Sequence, residues 1–458
     1  MNRKVIAVFD IGKTNKKILL FDECLKMVYC KEEEFKTSVD EDGVECDDVE
    51  LIIKWIKSTL ISFLSSDEYD VVGVNFSTYG ASLAFIDANG NLLTPIYNYL
   101  KEISPKIQQD LFEKYGLEAE FCRKTASPAL GLLLNSGVQI LWVQMEKPEI
   151  MEQVKSILHF PQFLSYSLTG KIVSEPTSIG CHTFLWDFDQ MKYHKWVSDY
   201  GINLPRPINN NVVFDTEIED KIIKAGIGIH DSSASLVPYL KGSKEKFILV
   251  STGTWCINMN PFNKEPLTAE QLKKDCLCNL SPELQQVKSS RMFMGYIHDV
   301  NTEKLGSFFN VGTEGFKTVN ADEDLIGEFF AKGIINKVFF RKGIPENYVD
   351  EMVDLCQFKD FSEAYHRLMF DLAVLNSESI DLISNPKDGT KYIYVSGGFA
   401  RNELFVRMLA TLYPNKEIYT SKIDNSSALG AALVVWGSVA NNAIPEIDLG
   451  LKKWESFN

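Results

Sequence analysis

The sequence predicts an α/β protein of two domains with a cleft between them. Three observations carry that prediction. The chain has 458 residues, more than one ordinary hydrophobic core accommodates. An apolar run that breaks at a small polar turn and then resumes occurs once in each half. Strand-like and helical stretches alternate between these hairpins.

The first hairpin is "VIAVFDIGKTNKKILLFD", Val5 to Asp22. Apolar residues lead to Asp10, a Gly-Lys-Thr-Asn-Lys-Lys step follows, and "ILLF" resumes the strand pattern. "VELIIKWIKSTLISFL", Val49 to Leu64, reads as a helix, and "DVVGVNFSTYGASLAFID", Asp70 to Asp87, as strands. In "AGIGIHDSSASLVPYL", His230 and Asp231 follow a glycine-rich run and precede small residues. That order suits a helix start at a crowded site, and on pattern alone Asp231 caps the helix. "VPYLKGSKEKF", Val237 to Phe247, is short and polar with Pro and Gly, and sets a boundary between residues 1–242 and 243–458. The second hairpin is "KFILVSTGTWCINMN", Lys246 to Asn260. "KYIYVSGGFARNELF", Lys391 to Phe405, begins alike but continues as a helix, with Leu404, Met408 and Leu412 on one face.

Composition narrows the function. A hydrophobic fraction of 45% with 24% charged residues suits a folded, soluble chain. No apolar run is long enough to span a bilayer, and the stretch ending at Asp10 is too short for a signal peptide, so a cytoplasmic location is expected. The net charge of −15 disfavours nucleic acid and anionic membranes as partners. An anionic substrate then needs local cations or backbone amides. Nine cysteines without framework spacing indicate reduced thiols, and Cys276 and Cys278 lack the second pair a zinc site needs. His159, His194, His298 and His366 show no metal spacing. His182 either lines a pocket or is a satisfied structural histidine. Trp142, Trp186, Trp196, Trp255 and Trp436 sit in apolar patterns and are expected in the core. "KEEEF", Lys31 to Phe35, reads as a solvated face.

The turns suggest chemistry. Glycine lets the backbone approach a ligand and presents successive N–H groups, which with threonine hydroxyls suit phosphate oxygens. One such hairpin is unremarkable; three Gly/Thr/Ser turns at strand ends, two in matching halves, point to nucleotide binding. No Walker lysine motif is present, and "GIGIHD", Gly226 to Asp231, lacks the third glycine of a dinucleotide loop. A carboxylate at a domain cleft, such as Asp231, suits proton removal from an attacking hydroxyl.

The ordered set is familiar. Asp-x-Gly-x-Thr-x-x-Lys at Asp10 to Lys17, Gly-x-His-Asp at Gly228 to Asp231, Ser-x-Gly-Thr-Trp at Ser251 to Trp255, and Gly-Gly-x-x-x-Asn at Gly397 to Asn402 are followed by a closing helix, "SALGAALVVWG", Ser427 to Gly437. Together they resemble the FGGY carbohydrate kinases of the actin-like ATPase superfamily, over nearly the whole chain. "TYGASLAFIDANGNLL", Thr78 to Leu93, and "HDSSAS" look like segments of the rhamnulokinase and fuculokinase subgroup. "FPQFLSYSLTGKIVSEPTSIGCHTFLWDFD", Phe160 to Asp189, resembles the family's Leu-Thr-Gly stretch and acidic loop.

The resemblance implies two actin-like (ribonuclease H-like) domains around a catalytic cleft, with ATP and Mg²⁺. It makes Asp231 the catalytic base and Asp10 the metal-side carboxylate. Gly12, Thr14 and Lys17 face the transferred phosphate, and Gly253 and Thr254 the nucleotide phosphates. Gly397, Gly398 and Asn402 lie near adenosine, and Gly80, Ser82, His230 and Asp231 near the sugar. Lys13 and Lys16 have no such role and are expected to be solvated. Departures gather on the sugar side: Ser82 replaces an aspartate, "YNYLKE" at 97–102 lacks an Asp-x-Arg, and Gln139 replaces a lysine. Phe361 to Val374 departs from the second signature, and "MGYIHDV" at 294–300 offers little to a nucleotide. The expected activity is phosphorylation of a ketose, with L-rhamnulose or L-fuculose ahead of xylulose or a polyol. An actin-like switch and a non-catalytic sugar sensor are the rival readings. The expected partner is a small-molecule sugar, with a homodimer left open.

Overall fold

The computed structural model describes residues 2–333, 336–440 and 443–457. Its centre is a pair of seven-stranded sheets. The first contains β1 (Arg3–Ile11), β2 (Lys16–Asp22), β3 (Met27–Glu33), β4 (Tyr69–Thr78), β5 (Val213–Ile218), β6 (Lys221–Gly226) and β7 (Ile229–His230). The second contains β8 (Phe247–Thr252), β9 (Cys256–Asn260), β10 (Cys276–Leu280), β11 (Gln286–Met292), β12 (Tyr392–Gly397), β13 (Glu417–Thr420) and β14 (Lys452–Trp454).

The two sheets repeat one arrangement. In the first, the path β3-β2-β1-β4-β6-β5 runs antiparallel, antiparallel, parallel, parallel, antiparallel. In the second, β11-β9-β8-β12-β13-β14 follows the same sequence of pairings. The hairpins read from sequence are β1–β2 and β8–β9, and each opens its own sheet.

Helices cover both faces of the first sheet, which is why β1 is a continuous apolar run rather than an alternating one. Alternation survives in where each residue points. Val5, Ala7, Phe9 and Ile11 pack with α1 (Val49–Leu64), which buries Val49, Ile52, Ile56, Leu60 and Leu64. Ile6 and Val8 point the other way, into a core with α2 (Asp231–Gly242) and a helix from the far end of the chain. Asp10 continues that second face.

Elsewhere three helices serve the second sheet: α3 (Met294–Phe309), α4 (Phe361–Ile383) and α5 (Glu403–Leu412). The far-end helix is α6 (Ser426–Ala440), buried along the first sheet and against α2. The stretch at 237–247 is not a plain polar linker: its first half completes α2, with Pro238 inside the helix and Val237 and Tyr239 buried. Pro238 has no N–H for the Ala234 carbonyl one turn earlier. Gly430 of α6 packs against that carbonyl, so closely that any Cβ there would collide with it. Residues 83–204 add a separate apolar core that includes Tyr97, Phe121, Trp142 and Trp196.

Trp142, Trp186, Trp196 and Trp436 are buried, as their patterns predict. Trp255 is not: it is 43% exposed, because it directly follows the turn at 253–254. Its ring lies on Phe293, 4.6 Å between centroids, with the Arg291 guanidinium 5.5 Å away. All nine cysteines are free thiols, with Cys276 and Cys278 buried on β10. Among the described residues, no helix is long and apolar enough to cross a membrane.

Candidate active site

The turn between β1 and β2 places Asp10 opposite Lys17 on β2 and beside Ser77 on β4. Gly12 closes the turn by donating its N–H to the Asn15 carbonyl at 2.9 Å, and a Cβ at Gly12 would sit 3.0 Å from that oxygen. Thr14 is exposed at the tip. Lys17 is half-buried and 3.4 Å from Glu32 on β3. Because Asp10 faces α6, it meets Ser427 there, whose hydroxyl donates to Oδ2 at 2.8 Å. Burial raises the Asp10 carboxyl to about 6, and the charge of Asp231 adds to the rise.

Lys16 is not solvated, and Lys13 is only partly so. Lys16 is 2% exposed, and both lysines turn to Asp47, at 3.2 Å for Lys13 and 2.7 Å for Lys16. Asp47 comes from the residues just before α1, 31 positions beyond Lys16, so the turn sequence alone carries no sign of it.

Asp231 is the first residue of α2, and His230 holds the N-cap position. The carboxylate is therefore not the cap itself. It accepts from the Ser232 N–H at 2.5 Å and the Ser232 hydroxyl at 3.1 Å. Its side chain keeps 33% of its surface open, yet the closed walls around it push the carboxyl up to about 6. His230 is buried, and desolvation pushes it down to about 4, so the ring is neutral at pH 7. Its Nε2 lies 3.3 Å from Asp231 Oδ1 and 3.6 Å from Cys181 Sγ, and its Nδ1 is buried without a partner. Gly80 faces this ring: a Cβ on Gly80 would sit 2.9 Å from Nε2. Ser82 is fully buried, and its hydroxyl also has no partner. His182 Nδ1 donates to the Leu134 carbonyl, 3.0 Å away, and burial followed by the Arg291 charge pushes the ring down to about 3. Arg291 belongs to β11, so the second domain's charge acts on this wall of the first domain's site.

In the second domain, Gly253, Thr254, Gly398 and Asn402 line one cavity of about 640 Å³. Gly397 does not line it. Its φ of +83° and its contact with the Thr252 carbonyl, which leaves no room for a Cβ, make it the hinge that delivers Gly398. Asn402 caps α5, accepting from Phe405 N–H at 3.2 Å, and donates to the Tyr365 hydroxyl at 3.0 Å. Sequence reasoning missed several walls. Gly295, His298 and Asp299 of α3 line the same cavity, contrary to the expectation that 294–300 contributes little. Gly295 has no room for a side chain against the Gly253–Thr254 backbone, and His298 reaches Tyr365 at 3.1 Å. Ser427 was visible as the first residue of the closing-helix motif, but nothing local pointed it to Asp10.

The donors suit a hard divalent cation. Asp10 and Asp231 are carboxylates whose ionised forms are disfavoured by burial, and Asp231 raises Asp10 further, a strain a bound cation relieves. Among the described residues, no cluster of three or more His, Cys, Asp or Glu is placed to hold a metal.

Comparison with known proteins identifies the family. Residues 5–214 match the N-terminal domain of the FGGY family of carbohydrate kinases, and residues 349–443 match the carbohydrate kinase FGGY C-terminal domain. The rhamnulokinase of Mannheimia succiniciproducens is 23% identical over 262 residues, 55% of this chain and 52%, about half, of that relative. The xylulose kinase of Lactococcus lactis is 22% identical over 456 residues, covering 93% of this chain and 86% of that protein. The crystal structure of a carbohydrate kinase from Novosphingobium aromaticivorans shares the fold, with a TM-score of 0.78 and 23% identity over 100% of this chain and 95% of that one. The chain belongs to the FGGY family of carbohydrate kinases, and it is an ATP-dependent sugar kinase with two actin-like domains.

Proposed function

We propose that the protein transfers the γ-phosphate of ATP to a hydroxyl of a ketose, with deoxy-ketoses such as L-rhamnulose and L-fuculose as the preferred acceptors. The observation that carries this reading is the Asp231 carboxylate, raised to about 6 beside a neutral His230 and still open to the cleft. At pH 7 it is ionised and basic enough to act. Asp231 takes the hydroxyl proton as the sugar oxygen bonds to the γ-phosphorus; the bond from phosphorus to the β,γ-bridging oxygen breaks, and ADP leaves. His230 Nδ1 and the Ser82 hydroxyl, both buried without partners, are free to bind sugar hydroxyls. Gly80 has no side chain because its backbone packs directly on the His230 ring, where a Cβ would sit 2.9 Å from Nε2, and so it helps to fix that ring beside the sugar.

The turn at Gly12, with Thr14 and Lys17, holds the transferred phosphoryl group. Gly253 and Thr254 hold the remaining phosphates, and Gly398 and Asn402 form the adenosine end of the cavity, with Gly397 as the hinge behind them. Asp10 would hold Mg²⁺, with Ser427 orienting its carboxylate, and the bound ion would supply charge neutralisation to the phosphate oxygens. Closure of the two domains, divided near residues 242 and 243, excludes water and aligns the reacting oxygens. The rhamnulokinase among the relatives supports the deoxy-ketose reading. The long match to a xylulose kinase, with Ser82 on the sugar side, supports xylulose as the second reading.

The test is ADP release from Mg·ATP with a panel of ketoses, aldoses and polyols and a no-sugar control. Release that rises with L-rhamnulose or L-fuculose above all others is the expected result. A rise with xylulose or glycerol alone refutes the deoxy-ketose assignment and keeps the kinase. Hydrolysis independent of every sugar refutes the kinase mechanism for this site.

A further inference from the structure

We propose, on the kinase reading above, that Asp47 is a positioning residue that locks the phosphate turn of the first domain to the segment facing the sugar. Its carboxylate is buried and gathers donors from both places. Lys16 donates to Oδ1 at 2.7 Å, and Lys13 and the Tyr79 hydroxyl donate to Oδ2 at 3.2 and 2.5 Å. The Lys16 ammonium also donates to the Lys13 carbonyl at 2.9 Å, so it holds the turn's own backbone as well as Asp47. On the other side, Tyr79 extends β4, donating its N–H to the Ile11 carbonyl at 3.2 Å. The residue after Tyr79 is Gly80, packed on His230, and His230 precedes Asp231.

One carboxylate therefore spans from the turn that meets the phosphoryl group to the glycine that meets the sugar. It also engages two of the turn's three ammonium groups, so that Lys17, 3.4 Å from Glu32, is the one that it does not hold. A buried ion cluster is a poor means of gaining stability, since apolar residues of the same volume do as well or better. It is a good means of fixing geometry. The cluster's protonation is settled: its lysines hold Asp47 below the usual carboxylate range, and burial keeps Tyr79 a protonated donor.

The test uses the full chain with Mg·ATP and the accepted sugar. Asp47→Asn keeps the shape and removes the charge, Tyr79→Phe cuts only the sugar-side link, and Lys16→Met cuts the shorter of the two turn-side links and leaves that of Lys13. Hydrogen exchange is followed in peptides spanning residues 11–18 and 76–86, beside kinetics and melting temperature. For Asp47→Asn, kcat is expected to fall about ten-fold and the sugar KM to rise about five-fold, with faster exchange in both peptides together. Tyr79→Phe raises the sugar KM with kcat within about two-fold of wild type, and Lys16→Met does the reverse. Asp47→Glu recovers more of kcat than Asp47→Asn. An Asp47→Asn protein with both parameters within about two-fold of wild type, or faster exchange in one peptide only, overturns the proposal. So does loss of activity that tracks a lowered melting temperature with exchange raised evenly along the chain. A wild-type protein that phosphorylates no sugar refutes the kinase reading instead, and the exchange pattern still decides whether Asp47 couples the two segments.

Discussion

Asp231 combines three demands on one side chain: it begins a helix, it lies 3.3 Å from a buried neutral histidine, and it stays open to the cleft. Its raised pKa has a kinetic consequence. With a value of about 6 in the unliganded protein, kcat/KM is expected to fall as pH drops through about 6, and a pH–rate profile checks this. It also has a consequence for stability. Asp10 and Asp231 are raised above the ordinary 3.8, so their ionised forms cost stability at neutral pH, and that cost disappears as pH falls from about 6 toward 4. Asp231→Asn should therefore melt a few degrees higher than wild type at pH 7.5, at about 2–4 °C per kcal/mol, and lose the advantage by pH 4. Scanning calorimetry at both pH values reads it directly. The two aspartates were legible in the sequence because motif spacing marks them. The fates of Lys16 and Trp255 were not: one depends on a carboxylate that a distant segment brings, the other on a turn that turns its neighbour outward.

At the scale of elements, α6 has the most to explain. It reaches Asp10 through Ser427 and rests on α2 through Gly430, and α2 begins with Asp231. One helix thus sets the placement of both carboxylates. Gly430→Ala drives a methyl group into the Ala234 carbonyl and must part α2 from α6. A stability loss of about 1–3 kcal/mol is expected by chemical denaturation, with a fall in kcat of about ten-fold or more and little change in nucleotide affinity. Unchanged kcat in a destabilised protein would mean that α6 supports the fold and not the site. The hairpins, α1 and the strand-to-helix step at 392–412 were readable from apolar periodicity. The continuation of α2 through Pro238 was not, because a proline ordinarily ends a helix and the contact at its freed Ala234 carbonyl comes from Gly430 of a remote helix. The motif "SALGAALVVWG" announces a tightly packed helix, but its partner lies in the other half of the chain.

For the whole molecule, two sheets with the same order of pairings each present a Gly/Thr turn after the central strand. Such a pair suits one extended substrate complex held between two halves, with nucleotide in the second-domain cavity and sugar beside His230. A net charge of −15 opposes a nucleotide at long range, so on the proposed reading binding would rest on these local amides, hydroxyls and Lys17. If the halves close on substrate, the radius of gyration from X-ray scattering should shrink only when nucleotide analogue and sugar are both present. No contraction with both bound would place closure outside the mechanism. The duplication was visible as two hairpins, whereas the crossing of α6 onto the other half was not, since the hydrogen bond that reveals it joins residues 417 positions apart.

The most direct measurement compares sugar-dependent ADP release by wild type and Asp231→Asn under saturating Mg·ATP, with nucleotide affinity measured on both proteins. Sugar-dependent turnover is expected to fall at least about a thousand-fold in Asp231→Asn, with nucleotide affinity within about two-fold of wild type. Turnover close to wild type in the substituted protein would contradict the assignment of Asp231 as the base and the mechanism built on it.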